Sequence, residues 1–243
     1  MSNIQCHLFK CKKLILKLSI VIPTLNEAQN IGKLLDRLHE NSDSDEVEII
    51  VADGGSSDGT PQIASSKGAK VVSSERGRAV QMNAGAAAAT SEILYFVHAD
   101  TLPPPNFMSH IRQALEQNFQ LGCFRFQFDS DKWLLKINSF FTRFDRPWCR
   151  GGDQTLFVTK AVFDEFDGYR NDFLIMEEYD FLERVRQKYS FKIMADDVLV
   201  SARKYEKNTW LQVQIANFSV FRMYRKGVPQ AELAAYYKRA LKV

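Results

Sequence analysis

The chain has 243 residues, a length that at about 150 residues per domain favours one large domain over two. With 45% hydrophobic and 25% charged residues its composition is that of an ordinary globular protein, which excludes disordered, collagen-like and coiled-coil chains. Lys and Arg total 32 against 29 Asp and Glu, and a net charge of +3 is too small for a dedicated nucleic-acid binder, so any phosphate is expected to bind locally.

Residues 1–17 read as an N-terminal extension. Lys10, Lys12, Lys13 and Lys17 leave Leu14–Leu16 as its longest uncharged apolar run, unlike a secretory signal, and no run approaches the ~20 apolar residues of a membrane span. Cys6, Cys11, Cys123 and Cys149 show neither a C-x-x-C pair nor zinc-ligand spacing, so free thiols and a cytoplasmic setting are expected. From residue 18 short β-branched runs alternate with amphipathic helical patterns, which predicts a parallel α/β sheet. Leu18–Ile22 is a strand ended by Pro23. Ala28, Ile31, Leu34, Leu35 and Leu38 then mark one face of a helix that Asn26 can cap, with Glu27 in its first turn. Val47–Ala52 is a buried strand running into the segment DGGSSDGT, followed by a helix over 60–67. Ala69–Val72 is a third strand, RGRAVQMNAGAAAA a helix and Ile93–Val97 a fourth strand, so three βα units precede the middle of the chain.

Further on, Phe124, Phe126 and Phe128 alternate with Arg125 and Gln127, the period-2 pattern of a half-exposed strand added antiparallel to the sheet. A helix near Trp133–Phe144, a strand at Thr155–Val158, a helix opening at Glu177 or Glu178, and two strands at Phe191–Ala195 and Val198–Ala202 follow. The last residues form two helical patterns, Asn208–Lys226 and Pro229–Lys242, split by Gly227 and Pro229. The first carries Trp210, Leu211, Ile215, Phe218, Phe221 and Tyr224 with Arg222, Arg225 and Lys226. It either packs on the sheet or a second subunit, or lies at a membrane interface with its cations at head groups.

Two segments stand where an open α/β sheet binds ligands, at the carboxyl ends of strands. In Asp53-Gly54-Gly55-Ser56-Ser57-Asp58-Gly59-Thr60 the glycines permit close backbone approach and Asp53 can accept hydrogen bonds from a base or ribose; a tight turn capped by Ser57 or Asp58 accounts for the same residues. The segment matches neither G-x-G-x-x-G nor the P-loop, which argues against hydride transfer and ATP hydrolysis. His98-Ala99-Asp100 offers an imidazole and a carboxylate that point the same way if the strand continues, and a single carboxylate suffices for Mg²⁺ or Mn²⁺ beside substrate phosphates.

Taken in order, PTLNEA at 23–28, DGGSSDGT at 53–60, HAD at 98–100 and MEEYDF at 176–181 resemble a family-2 glycosyltransferase of the GT-A fold. The likeness is to a small cytosolic bacterial branch in which GRxxQMNxGA and HADT occur together. It implies a single GT-A domain over 18–207, a nucleotide-binding half followed by a mixed-sheet acceptor half, with 208–243 as a helical segment. By resemblance, Pro23, Thr24 and Glu27 border the nucleotide, Asp53 bonds its base or ribose, and Arg76, Arg78, Gln81 and Asn83 face ribose and sugar. Asp100 matches the second Asp of the family's Asp-x-Asp metal motif, with His98 where the first Asp usually stands. Glu177-Glu178 replaces the usual Glu-Asp pair, which makes Glu178 the catalytic base and Asp180 a nearby substitute. Arg150-Gly151-Gly152-Asp153-Gln154 resembles the acceptor-side turn. Arg203, Lys204 and Lys207, after the last strand, can close over a pyrophosphate.

The function implied is an inverting, metal-dependent transfer from a nucleotide sugar, UDP-linked by default, to a hydroxyl acceptor that is free or lipid-linked. Two alternatives stay open. His98 and Glu178, as departures from the family pattern, suit a non-catalytic module that binds nucleotide sugar or a partner. A sugar nucleotidyltransferase would need a Gly-rich, cationic loop where this chain has Pro23-Thr24-Leu25-Asn26-Glu27.

Overall fold

The computed structural model describes residues 17–42, 45–146 and 154–242. One eight-stranded sheet runs through them in the order β3-β2-β1-β4-β7-β6-β8-β5. Its first half is parallel: β1 (Leu18–Thr24) lies between β2 (Val47–Asp53) and β4 (Ile93–Phe96), with β3 (Lys70–Ser73) outside β2. The connecting helices are α1 (Ala28–Glu40), α2 (Thr60–Ser66) and α3 (Arg78–Ala88).

β1, β2 and β4 are apolar apart from Ser19, Glu48 and the polar ends Thr24 and Asp53 because helices cover both faces. On one face Ile20 and Ile22 belong to the same buried cluster as Ile31, Leu34, Leu35 and Leu38 of α1. On the other, Val21 and Ile50 join Ala79, Met82 and Ala86 of α3. A Cβ at Gly85 would lie 2.3 Å from Val21 Cγ1, so the glycine lets α3 approach β1 closely enough to seal that face.

In the second half β7 (Leu156–Thr159) pairs antiparallel with both β4 and β6 (Leu121–Phe128). Two antiparallel steps restore the original direction, so β6 and its parallel neighbour β8 (Phe191–Val200) point the same way as β4. The short β5 (Thr101–Leu102) closes the edge antiparallel to β8. Helices α4 (Phe107–Glu116), α5 (Trp133–Phe141), α6 (Lys160–Glu165), α7 (Glu177–Val185), α8 (Lys204–Lys207), α9 (Trp210–Arg225) and α10 (Gln230–Ala240) complete the fold.

Two expectations are corrected here. The strands expected at Phe191–Ala195 and Val198–Ala202 are one strand: its register against β6 jumps from Phe124↔Met194 to Arg125↔Asp197, and the bulge at Ala195 and Asp196 breaks the alternation that made it read as two. β6 is an interior strand of mixed pairing, antiparallel to β7 and parallel to β8, rather than a purely antiparallel addition; its three phenylalanines are buried while Gln127 is exposed. Cys123 is buried; Cys6, Cys11 and Cys149 lie outside the described residues. Among the described residues no helix is long and apolar enough to cross a membrane.

Candidate active site

The loop after β2 is organised by its own carboxylates. Asp53, buried at the strand end, accepts from Thr24 Oγ1 (3.1 Å) and Ser56 Oγ (2.5 Å) on Oδ1, and from the amides of Gly55 (3.0 Å) and Ser56 (2.9 Å) on Oδ2. A carboxylate has about four acceptor positions, so the loop and Thr24 together engage all of them. Asp58 accepts from the Thr60 amide and hydroxyl at the start of α2 and from the Ala28 amide at the start of α1, and these bonds hold its carboxyl below the usual range.

The start of α1 differs from expectation for this reason. Glu27, not Asn26, occupies the cap position; Asn26 takes a left-handed φ of 56°. The amides of Asn26, Glu27 and Ala28 donate instead to Ser56 Oγ, Thr60 Oγ1 and Asp58, while Asn26 Oδ1 accepts from the Ser57 amide. One loop thus caps a helix some thirty residues away, joining the ends of β1 and β2 into a single rim.

Facing this rim is the first turn of α7, where Glu177, Glu178 and Asp180 are all buried. Their negative charge suits a helix N-terminus. Their partners differ. Glu178 Oε1 lies 3.1 Å from His98 Nε2, Glu177 Oε1 lies 3.3 Å from Arg78, and Asp180 accepts from Arg184 (2.8 Å) one turn along the helix, with Arg170 at 3.9 Å. Asp180 is therefore not brought to His98. Burial pushes the Glu178 carboxyl above the ordinary glutamate range, with the His98 bond opposing. For His98, burial is the largest influence and disfavours the imidazolium, yet the hydrogen bond to Glu178 and the charges of Glu178 and Asp100 together outweigh it, and the imidazole ends above its usual value.

His98 and Asp100 do not converge as an extended strand would make them. β4 ends at Phe96, and residues 99–100 turn, with the Thr101 amide donating to the His98 carbonyl. His98 is directed to Glu178, and Asp100 to Arg203, 3.3 Å away. Arg203 also grips Glu27 in a two-pronged pair at 2.6 and 2.9 Å, so one guanidinium ties the ends of β1, β4 and β8. Among the described residues no three His, Cys, Asp or Glu side chains converge as a metal cage. Asp100 nevertheless fits a hard divalent cation of the Mn²⁺ or Mg²⁺ kind: it is a partly exposed oxygen ligand at a strand end, and such ions take one or two carboxylates and complete their shell with water and phosphate.

The remaining expected residues divide by what they touch. Pro23 and Thr24 lie within β1, where the Thr24 carbonyl accepts from Gln81 Nε2 at 2.6 Å; the same amide reaches the Ala52 carbonyl at 3.0 Å. Gln81 is buried and clamps the ends of β1 and β2 from beneath. Asn83 holds the turn before α7, bonding the Tyr169 amide and carbonyl and Asn171. Arg76 is exposed, and Gly77, at φ 146° and ψ 127°, turns the chain into α3 so that Arg78 can reach Glu177. Lys204 Nζ stands 6.0 Å from the Tyr237 ring centre and Lys207 is exposed. Gln154 is buried on the Phe124 carbonyl, whereas Arg150, Gly151, Gly152 and Asp153 lie outside the described residues. Sequence reasoning missed Tyr169, a buried phenol whose hydroxyl has no hydrogen-bond partner among the described residues; burial and then the charges of Glu178 and Glu177 raise its pKa. Only its place in a Gly-Tyr turn before the acidic helix marks it in the sequence.

Residues 19–174 match the model of glycosyl transferase family 2. Over 96 residues the chain is 33% identical to a glucosyl-3-phosphoglycerate synthase of Mycolicibacterium paratuberculosis, covering 36% of this chain and 29% of that one. Matches of this kind span about a third of the length of the curated relatives. A mannosyltransferase from Pyrobaculum calidifontis, solved with GDP-Man and Mn²⁺, superposes with a TM-score of 0.65 at 17% identity, covering 92% of this chain and 73% of its own. Glucosyl-3-phosphoglycerate synthase of Mycobacterium tuberculosis, solved with Mn²⁺, UDP and glucosyl-3-phosphoglycerate, gives 0.57 at 19% identity over 88% and 81%. At these identities the structural likeness establishes the fold, GT-A, while the family-model match over most of the chain establishes the lineage. On that match the chain belongs to glycosyl transferase family 2.

Proposed function

We propose that the chain transfers a glycosyl group from a UDP-sugar to an acceptor hydroxyl with inversion, assisted by a divalent cation on Asp100. The observation that carries this reading is Glu178: a buried carboxylate at a helix start, raised in pKa and held by one hydrogen bond from His98 on Oε1. That bond fixes the carboxylate and leaves Oε2 to take the acceptor proton. As the proton moves to Glu178, the acceptor oxygen bonds the anomeric carbon from the face opposite the leaving group, and the bond to the diphosphate oxygen breaks with its electron pair. A single carboxylate serves because no glycosyl-enzyme forms.

The departing diphosphate gains negative charge beside Asp100 and Arg203. Bound at Asp100, the cation would supply Lewis-acid neutralisation of that charge. Arg203 then has a second task, since its guanidinium fork, now on Glu27, matches phosphate oxygens equally well. Asp53 supports donor binding by holding the rim in shape, its acceptor positions being engaged by the loop and Thr24.

Thermal stabilisation by UDP, GDP, CMP and dTDP, each with and without Mn²⁺, tests the reading. A ligand selective for the folded state at a hundredfold excess over Kd adds about 2.7 kcal/mol. A shift with UDP that requires Mn²⁺ is expected; a shift with another nucleotide replaces the donor assignment, and no shift with any of them favours a partner-binding module.

A further inference from the structure

Ten large hydrophobic side chains are exposed among the described residues, and eight of them fall on two short stretches around α5 and α9. Scattered exposed apolar residues are normal; this concentration is a patch. On α5 and the turn after it, Trp133 (67% exposed), Ile137, Phe140 and Phe144 recur at steps of four, three and four, with Phe141 beside them. The rings of Phe140, Phe141 and Phe144 pack on one another at 5.7 to 6.2 Å, giving an aromatic knob supported from within. On α9, Leu211, Ile215 and Phe218 (63% exposed) form a second stripe of the same spacing, which continues into Arg222 one turn further. The opposite side of α9 is the one that packs, through Val213, Ala216 and Val220.

The helices are neighbours: Trp210 Nε1 donates to Asn138 Oδ1 at 3.3 Å, and Asn138 and Gln214 both reach the Tyr205 hydroxyl. Between their starts opens a cleft of about 510 Å³, walled by Trp133, Leu134 and Trp210 and bordered by Lys132, Lys207 and one acid, Glu206. Both helices leave the sheet at the active-site end. α5 follows β6, and α9 follows β8 by way of Arg203 and α8, and both strands run in the direction of β4.

Charge identifies the occupant. Residues 132–144 and 208–229 contain six cations, Lys132, Lys136, Arg143, Arg222, Arg225 and Lys226, and no Asp or Glu. Two of the six touch carboxylates elsewhere, Lys136 on Asp131 and Arg225 on Glu183, in exposed pairs that exchange readily. A second copy seated symmetrically here would set the same cations against one another. The first sixteen residues carry Lys10, Lys12 and Lys13 and no acid, so they too are like-charged. Asp131, Asp145 and Glu206 border these stretches, the first two paired with Lys136 and Arg186, and the cations still outnumber them. Aromatic and aliphatic side chains with this cationic excess complement an anionic head-group layer over hydrocarbon.

We propose that α5 and α9 form a docking face for an anionic lipid bilayer, seating the active-site rim at the membrane surface. The face is independent of the transfer reaction, and its test uses neither donor nor metal. The full chain is floated on a density gradient with vesicles of phosphatidylcholine containing phosphatidylglycerol, and with phosphatidylcholine alone. Flotation is expected with the anionic vesicles, at least several-fold above the neutral ones, and weakened by salt. The double substitution Phe140→Asp, Phe218→Asp should leave the protein at the bottom of the gradient. Arg222→Glu with Lys226→Glu changes charge alone on exposed positions and should cut flotation several-fold, a second readout should the phenylalanine variant fold poorly. The proposal is overturned if the unmodified chain stays at the bottom with anionic vesicles, or if flotation survives both double substitutions. It is equally overturned if light scattering shows a dimer that Phe140→Asp, Phe218→Asp converts to monomer, since a second copy would then cover the face.

Discussion

Asp53 and Glu178 are both buried carboxylates on the same rim, yet they are satisfied in opposite ways. Asp53 accepts four hydrogen bonds from its own loop and from Thr24, whereas Glu178 has one, from His98. A carboxylate with every acceptor position filled is part of the architecture, because protonating it would break the turn it organises. One that is buried with a single bond sits close to its proton, the condition a general base requires. Under the proposed function the difference separates what shapes the site from what acts in it, although sequence position alone makes the two look alike.

The sharpest way to break the comparison is Glu178→Gln, which keeps the shape and the His98 contact and removes the base. Turnover should fall by about 10²–10⁴-fold, while the thermal shift with UDP and Mn²⁺ persists. Normal turnover in this variant would place the base elsewhere. Asp53→Ala should act in the reverse sense: it strands the buried Thr24 hydroxyl and the half-buried Ser56 donors, each costing about 1–3 kcal/mol, so urea denaturation should show a lost stability that Glu178→Gln does not share.

Acidity sharpens the contrast further. Because burial raises Glu178, its base form is lost at a higher pH than an ordinary glutamate near 4.3, and the acid limb of the rate profile should lie above that value. Stability follows the same sign: a raised folded-state pKa helps below the unfolded value and its benefit is gone once pH has risen through the folded one. Glu178→Gln should thus match the unmodified chain in acid and equal or exceed its thermal midpoint at neutral pH. The smallest effect is expected far from the rim. Thr209 caps α9 in a reciprocal arrangement with Gln212, and Thr209→Ala should cost about 1 kcal/mol without altering the UDP shift. If donor binding fell as well, the cap and the rim would be coupled in a way the hydrogen bonds do not suggest.

Much of this molecule was legible in local pattern. The apolar spacing over Ala28–Glu40 and the runs at Leu18–Thr24, Val47–Asp53 and Ile93–Phe96 report burial by near neighbours in the chain, so helix and strand types emerge from them directly. The place of Glu178 at a helix start is local as well, written in the cluster Glu177-Glu178-Tyr179-Asp180. Tertiary structure decided everything that joins distant segments. His98 meets Glu178 across eighty residues, Arg203 meets Glu27 across 176, and the loop after β2, rather than Asn26, caps α1. Those partners depend on the order of strands in the sheet, which no short-range periodicity encodes. The exposed stripe on α9 has the same origin: in the sequence its apolar residues suit either packing or a membrane interface, and whether they are covered depends on which elements the completed fold leaves beside them.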